Sequence, residues 1–212
     1  QSPMIKVFNP ELSNDGWQSE HTIIQIVIRD LPFLVDSVKM AFHRLKLTSH
    51  LFLHTPIKVN RDSNSQVTGF VDLKNGEANH QETVFLIEIE RQSEQSQLDA
   101  IAQELLSVLS EVSVTVDDWQ SMQSKLEECI KEAETAKVKN TAKRDKSVEF
   151  LKWVANHNFT LMGYRSYNVS RVKGDSEISG DASTSLGLMN DRPSTTKSLS
   201  KLSEAGRAES LS

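Results

Sequence analysis

Hydrophobic positions in the first part of the chain follow strand spacing and helix spacing in turn. Residues 21–29 are rich in Ile and Val and partly alternate with polar residues, which predicts a central strand. The next apolar residues recur at helical spacing and predict a helix that ends near residue 46. They are Leu34, Val38, Ala41 and Leu45. Two more strands are predicted at 50–60 and 83–90, with a short returning strand at 66–73 between them.

The pattern then predicts a second helix and a fourth strand. The helix carries an apolar stripe of Leu98, Ile101, Leu105 and Leu109. Val112, Val114 and Val116 alternate with Ser and Thr, which is typical of a strand. The resulting order, β-α-β-β-α-β over residues 20–117, predicts an α+β fold of the ferredoxin-like kind, with two helices on one face of a four-stranded antiparallel sheet.

The rest of the chain is more polar. We predict a connecting helix over 118–140 and a partial second α+β unit over 141–212. That unit contains a helix capped by Asp145, strands at 159–169 and 185–189, and a Ser-, Gly- and Asp-rich mobile loop at 170–184. The first residue is not Met and the last residues are polar, so we expect a piece of a longer chain.

Composition and charge narrow the possible partners. The 212 residues carry a formal charge of −5, which does not favour nucleic acid. No apolar run approaches the ~20 residues that a membrane helix needs. Cys129 is the single cysteine, so no internal disulfide is possible, and we expect a cytoplasmic protein that binds neither membrane nor nucleic acid.

The corner between the first strand and the first helix is the main candidate site. In this fold the corner exposes helix N-terminal N–H groups beside the sheet, and such donors can hold the carboxylate of an amino acid. The candidate effector-binding residues are Asp30, Leu31, Pro32, Phe33 and Leu34. The alternative interpretation is a helix start, capped or neutralised by Asp30, that binds no ligand.

Asp30 to Val38 also carries a family resemblance. Asp-x-Pro before Leu-Val resembles the ACT-domain signature, in which a strand ends in Asp-Arg-Pro-Gly-Leu-Leu. The whole stretch resembles the Asp-(Met/Leu)-Pro-Phe-Leu-Val-Asp-Ser-Val of the N-terminal region of the large NAD-specific glutamate dehydrogenases. Three further stretches agree in order. They are 50–56, 87–92, and 150–153 leading to 159–165.

The resemblance implies a parent enzyme that converts glutamate and NAD to 2-oxoglutarate, ammonia and NADH. It implies for this chain a regulatory or oligomerisation region, with the remainder of the parent chain, other subunits of a homo-oligomer and an amino-acid effector as partners. Phe33 stands where many amino-acid-binding ACT domains have Gly. We therefore expect its ring to pack in or over the effector space, to weaken or prevent binding, and to make Phe33→Gly destabilising.

Other chemistry finds little support in the sequence. His50 and His54 lie about 13 Å apart if they are on a strand, too far to share a metal ion. Glu88 and Glu90 share a strand face without a nucleophile pattern. No Gly-x-Gly-x-x-Gly or P-loop is present, so we predict no catalytic residues, no metal site and an NAD site outside this chain. Two hypotheses stay open, namely effector binding at the corner and a purely structural subunit-contact module.

Overall fold

The computed structural model describes residues 2–172 and 175–198. The chain divides into two compact units, Gln1–Ser113 and Val114–Ser212. In the described ranges no helix combines the length and apolar character that a bilayer crossing requires. The predicted α+β class is confirmed, since sheets and helices both contribute.

A five-stranded antiparallel sheet forms the centre of the first unit. Its strands lie in the order β1-β2-β5-β3-β4, with every neighbour antiparallel. The strands are β1 (Met4–Phe8), β2 (Thr22–Arg29), β3 (Ser49–Arg61), β4 (Val67–Val71) and β5 (His80–Ile89). The helices are α1 (Leu12–Asp15), α2 (Leu34–Leu45) and α3 (Gln95–Thr135). The strands predicted at 21–29, 50–60, 66–73 and 83–90 and the helix ending near 46 are therefore confirmed within a few residues.

The core lies on one face of this sheet. Strand register places Ile24, Ile26 and Ile28 of β2 beside Ile87, Phe85 and Thr83 of β5, and all six residues are buried. The apolar stripes of α2 and of the first half of α3 join the same cluster. Hydrophobic burial on this scale is the dominant favourable contribution to folding.

The predicted fourth strand at 112–116 is wrong, and so is the βαββαβ order that depends on it. These residues lie inside α3, which runs without a break for 41 residues. The sheet edge beside β2 is occupied instead by β1, which pairs from Met4 opposite Val27 to Phe8 opposite Ile23. A strand at 112–116 would leave its backbone groups unpaired there, whereas a helix satisfies them internally. The predicted helix at 118–140 is accordingly the second part of α3 and ends at Thr135.

A buried ion pair links β3 to β5 at the far end of the sheet. The Arg61 guanidinium donates from Nε to Glu82 Oε1 at 2.6 Å and from Nη2 to Glu82 Oε2 at 2.8 Å. The side chains are 8% and 1% exposed, and the hydrogen bond to Glu82 raises the pKa of Arg61. The two parallel hydrogen bonds and the opposite charges offset the cost of removing both groups from water.

The second unit contains shorter elements after α3. They are α4 (Thr141–Trp153), a π-helical turn (Val154–Asn158), β6 (Gly163–Tyr164), β7 (Tyr167–Val172), β8 (Asp175–Gly180), a 3₁₀ turn (Ala182–Thr184), β9 (Leu186–Gly187) and β10 (Thr196–Ser198). α4 is capped by Asn140, which accepts from the Lys143 N–H, and not by Asp145. The loop predicted at 170–184 is wrong for 170–172, which belong to β7, and for 175–180, which form β8 and pair with β7 and β10. Residues 173–174 of that loop and 199–212 of the predicted second unit lie outside the described residues.

The two strands predicted in the second unit are shorter than expected. Residues 159–169 contain β6 and the start of β7, and 185–189 contain only β9. Side-chain hydrogen bonds help to hold these short strands in place. The Asp118 carboxylate accepts from the Gly187 N–H at 2.7 Å, and the Arg165 guanidinium donates to Ser185 Oγ at 2.8 Å.

Candidate functional site

The corner between β2 and α2 is built by backbone and side-chain hydrogen bonds to β5. The Asp30 N–H donates to the Gln81 carbonyl at 2.9 Å, and Asp30 Oδ1 accepts from Thr83 Oγ1 at 2.6 Å. Thr83 is buried, so this bond fixes the Asp30 carboxylate at the sheet. Asp30 is therefore not the helix cap that the sequence allowed.

The residue at the N-cap position of α2 is Phe33, and its backbone conformation is unusual. Phe33 has φ 70° and ψ 3°, in the left-handed region, and its side chain gives no capping hydrogen bond. Helical pairing begins with the Ser37 N–H donating to the Phe33 carbonyl at 3.0 Å. The N–H groups of the three residues before Ser37, residues 34–36, thus have no partner within the helix and point out of its start.

A cavity of about 310 Å³ lies at this helix start. Four of the five predicted effector residues line it, namely Asp30, Leu31, Phe33 and Leu34, whereas Pro32 does not. The other lining residues are Val35, Asp36, His54, Pro56 and Thr83. The chain thus brings the corner together with side chains from β3 and β5.

Phe33 lines the cavity but leaves it partly open. The residue is 56% exposed, so the ring lies at the edge of the cavity more than inside the core. The destabilisation expected of Phe33→Gly stays a prediction, and the burial lost is less than that of a fully buried ring. The positive φ supplies a separate reason why Gly suits this position in related domains, since Gly adopts φ > 0 without a Cβ penalty.

The cavity has donors and acceptors but no strong cation. Its lining includes two carboxylates, Asp30 and Asp36, and no Lys or Arg. The helix start contributes partial positive charge through its N–H groups. Such a lining suits a small zwitterion, with its carboxylate at the N–H groups and its ammonium at Asp30.

A second cavity, of about 350 Å³, lies between α1 and the end of β5. Arg91 lines it and donates from Nη1 to the Ser19 carbonyl at 3.0 Å. Glu11 and Glu20 place acids beside that cation. The mixed charge and the exposed setting give this cavity no defined chemistry.

The other residues weighed from the sequence are two histidines of β3 and the cysteine. His50 and His54 lie on β3, as predicted, and in the described ranges no three His, Cys, Asp or Glu side chains are placed to bind one metal ion. The rings of His50 and His21 contact each other at a tilt of 35°, with centroids 4.4 Å apart, and His21 Nδ1 lies 3.6 Å from Glu88 Oε2. Cys129 is half-buried on α3.

Sequence reasoning missed His54, Pro56 and Thr83 as neighbours of the corner. Pro56 lies opposite Thr83, and His54 opposite Phe85, because of the register between β3 and β5. No local motif encodes that register. The one local hint in the sequence was Thr83, a polar residue directly before the apolar run 84–87.

The comparisons with known proteins agree on one family. Residues 1–105 match the family model described as the glutamate dehydrogenase ACT1 domain. The NAD-specific glutamate dehydrogenase of Halomonas elongata is 32% identical over 197 residues, which cover 91% of this chain and 12% of that protein. That of Pseudomonas aeruginosa is 32% identical over 188 residues, covering 88% and 12%. No solved structure matches the chain.

The antiparallel sheet, with α2 and the first part of α3 packed on one face, forms an ACT-like α+β domain. The chain belongs to the NAD-specific glutamate dehydrogenase family and corresponds to an N-terminal part that includes the ACT1 domain. It spans about an eighth of the length of the curated relatives it matches.

Proposed function

We propose that this chain is a non-catalytic regulatory region of an NAD-dependent glutamate dehydrogenase. In the parent enzyme, glutamate and NAD are converted to 2-oxoglutarate, ammonia and NADH at sites formed by other parts of the polypeptide. The β2–α2 corner receives a small amino acid as an effector. Such an effector shifts the parent's conformational equilibrium only if it binds two conformations with different affinity.

The observation that carries the proposal is the cavity at the start of α2. The N–H groups of Leu34, Val35 and Asp36 lack helical partners, and Asp30 lies beside them with a fixed carboxylate. An amino-acid zwitterion matches both features because its carboxylate accepts from the N–H groups while its ammonium contacts Asp30. The half-exposed Phe33 ring leaves the cavity accessible.

The alternative function is a subunit-contact module that binds no effector. The open side of the sheet favours it, since Met4 and Leu53 are exposed apolar residues on strands. The two functions are separable by experiment because only the first requires a small-molecule ligand.

Thermal-shift measurements on this chain with the common amino acids test the effector site. A ligand at about 100 times its dissociation constant should add ~2.7 kcal/mol of stability. Asp30→Asn retains an acceptor for Thr83 but removes the charge that faces the ammonium, so it should abolish the shift without unfolding the domain.

Asp99→Asn is the matched control, since Asp99 lies on α3 outside the cavity, where its carboxylate accepts from Gln95 Nε2 at 2.8 Å. It should retain the full shift. If no amino acid stabilises the wild-type chain at millimolar concentration, the effector function is rejected and the subunit-contact function remains.

A further inference from the structure

Most asparagine side chains of the described residues are held by hydrogen bonds. Asn9 Nδ2, for example, donates to the Gln92 carbonyl at 2.8 Å, and Asn79 Nδ2 donates to the Arg61 carbonyl at 2.9 Å. Within residues 2–172 and 175–198, the asparagine side chains that make no hydrogen bond are those of Asn64, Asn75, Asn156 and Asn168. An amide without a partner rotates freely about its broad terminal torsion and can meet neighbouring backbone groups.

The residue that follows each of these four asparagines decides how easily the amide reacts. Asn75 is followed by Gly76, whereas the others are followed by Ser65, His157 and Val169. The main-chain nitrogen of the following residue can attack the side-chain carbonyl carbon of the asparagine, and a Cβ on that residue obstructs the approach. Gly has no Cβ and permits close approach to its backbone. Among the unheld amides of the described residues, Asn75 is therefore the one that is not obstructed.

Asn75 lies in an exposed turn between β4 and β5. The Gly76 N–H donates to the Asp72 carbonyl at 3.1 Å, and Asp72 Oδ1 accepts from the Lys74 N–H at 2.7 Å. Attack by the Gly76 nitrogen requires only the first of these bonds to break. Exposed turns open by local fluctuation without unfolding of the core, so the nitrogen becomes available in the folded chain.

We propose that Asn75 is a site of spontaneous deamidation, with water as the co-reactant. The Gly76 nitrogen loses its proton and bonds to Asn75 Cγ, and the side-chain nitrogen leaves as ammonia. The product is a cyclic succinimide. Water then adds to either ring carbonyl and opens the ring, which gives aspartate or isoaspartate at position 75. Overall, one amide and one water become one carboxylate and one ammonium ion, so the step needs no oxidant or reductant.

Isoaspartate at this position changes the structure because Gly76 is held on three sides. Its N–H bonds to Asp72, its carbonyl accepts from Lys58 Nζ at 3.2 Å, and a Cβ added to it would overlap Val71 Cγ1. Isoaspartate inserts one more carbon into the main chain directly before Gly76 and displaces it from these contacts. Val71 is the last residue of β4 and pairs with Lys58 of β3. The modification should therefore loosen β4 from β3. Asn75 does not line the corner cavity, so the inference is independent of the effector proposed above.

The turn at Asn64 supplies a matched comparison within the same chain. Asn64 is also exposed, and its turn is closed by the Ser65 N–H, which donates to the Asp62 carbonyl at 3.0 Å. Ser65 differs from Gly76 in carrying a Cβ, although its φ of 63° is one that Gly adopts readily. Ser65→Gly should therefore preserve the turn and give Asn64 an unobstructed neighbour.

Ageing of the purified chain near neutral pH and at physiological temperature tests the site. Pepsin digestion in acid, which suppresses ring closure, followed by mass spectrometry distinguishes amide from acid at each asparagine, and chromatography separates aspartate from isoaspartate peptides. Asn75 should convert severalfold faster than Asn64, and faster at higher pH because the attacking nitrogen must lose its proton. Asn75→Gln should stay unmodified, since its closure needs a larger ring. Ser65→Gly should bring the rate at Asn64 close to that at Asn75.

Hydrogen exchange on the aged chain measures the structural consequence. The isoaspartate form should exchange faster over residues 67–71 of β4, with 22–29 of β2 unchanged. Asn75→Asp is the control, because it adds the charge without the additional main-chain carbon, and it should keep the wild-type protection. The deamidation site is rejected if Asn75 stays an amide, if it converts no faster than Asn64, or if Ser65→Gly leaves the rate at Asn64 unchanged. Protection of 67–71 that survives conversion to isoaspartate overturns the loosening of β4.

Discussion

Replacement of Phe33 tests the corner geometry because Gly and Ala should change stability there in an unusual order. At φ 70° a residue with a Cβ carries a penalty of about 1–2 kcal/mol that Gly avoids. The ring is less than half covered. Its truncation should therefore lose roughly 1 kcal/mol, under half of the ~1.5–3 kcal/mol of a fully buried Phe.

Phe33→Ala retains the Cβ that is penalised at positive φ, whereas Phe33→Gly removes it. Phe33→Ala loses the ring contacts and keeps the backbone penalty, so we expect a loss of about 1 kcal/mol. Phe33→Gly loses the same contacts and relieves the penalty, but it adds an unfolded-state entropy cost of about 0.5–1 kcal/mol. Phe33→Gly should therefore be more stable than Phe33→Ala by about 0.5–1 kcal/mol. In an ordinary helix position the order is reversed, and Gly is about 1 kcal/mol worse than Ala.

Urea unfolding followed by Trp17 fluorescence measures this difference. Trp17 packs edge-on against Phe8 with ring centroids 6.4 Å apart, so it reports on the first unit once Trp119 and Trp153 are replaced by Phe. Met40→Ala and Met40→Gly form the control pair, since Met40 is exposed inside α2 with helical geometry. A Phe33→Gly variant less stable than Phe33→Ala, in the order of the Met40 pair, would refute the left-handed conformation.

Three other measurements address the rest of the chain. Arg61→Ala removes the guanidinium that pairs with the buried Glu82 carboxylate and should cost about 3–5 kcal/mol in urea unfolding, whereas Arg61→Met with Glu82→Leu should cost much less. Thr115→Pro should lower stability by at least about 3 kcal/mol if 112–116 is helical; a near-neutral effect would support a strand edge instead. The pKa of Asp181 should lie below its ordinary value because Ser183 donates to its carboxylate from the hydroxyl and the N–H. Ser183→Ala should raise that pKa in an NMR titration. The stability this carboxylate adds should be present above the unfolded-state pKa and lost as pH falls through the lowered one.

Local periodicity was enough to locate the elements that form the core of the first unit. The Ile and Val alternation of 21–29 and the helical stripe from Leu34 to Leu45 are strong signals because one face of each element is buried. The family resemblance was also readable from sequence, since the stretch from Asp30 to Val38 is long and ordered. The comparisons confirm it.

Tertiary structure decided the points at which two local conformations compete. The Val-rich alternation at 112–116 fits a strand, but β1 already occupies the sheet edge, and α3 gains its hydrogen bonds from within itself. The polar composition of 175–180 is typical of a loop, yet pairing with β7 and β10 makes it a strand. Such outcomes depend on which partner is available, and sequence windows do not contain that information.

The candidate site shows the same division. The sequence alone located the corner at Asp30–Leu34, because a strand end followed by Pro and an apolar helix stripe is a local pattern. Only the fold placed His54 and Thr83 at that corner, turned Phe33 into the left-handed region and left one edge of β3 open. The register between strands, the left-handed conformation of Phe33 and the pairing along each strand edge are set by contacts between residues far apart in sequence. Each is fixed only when the whole sheet has formed.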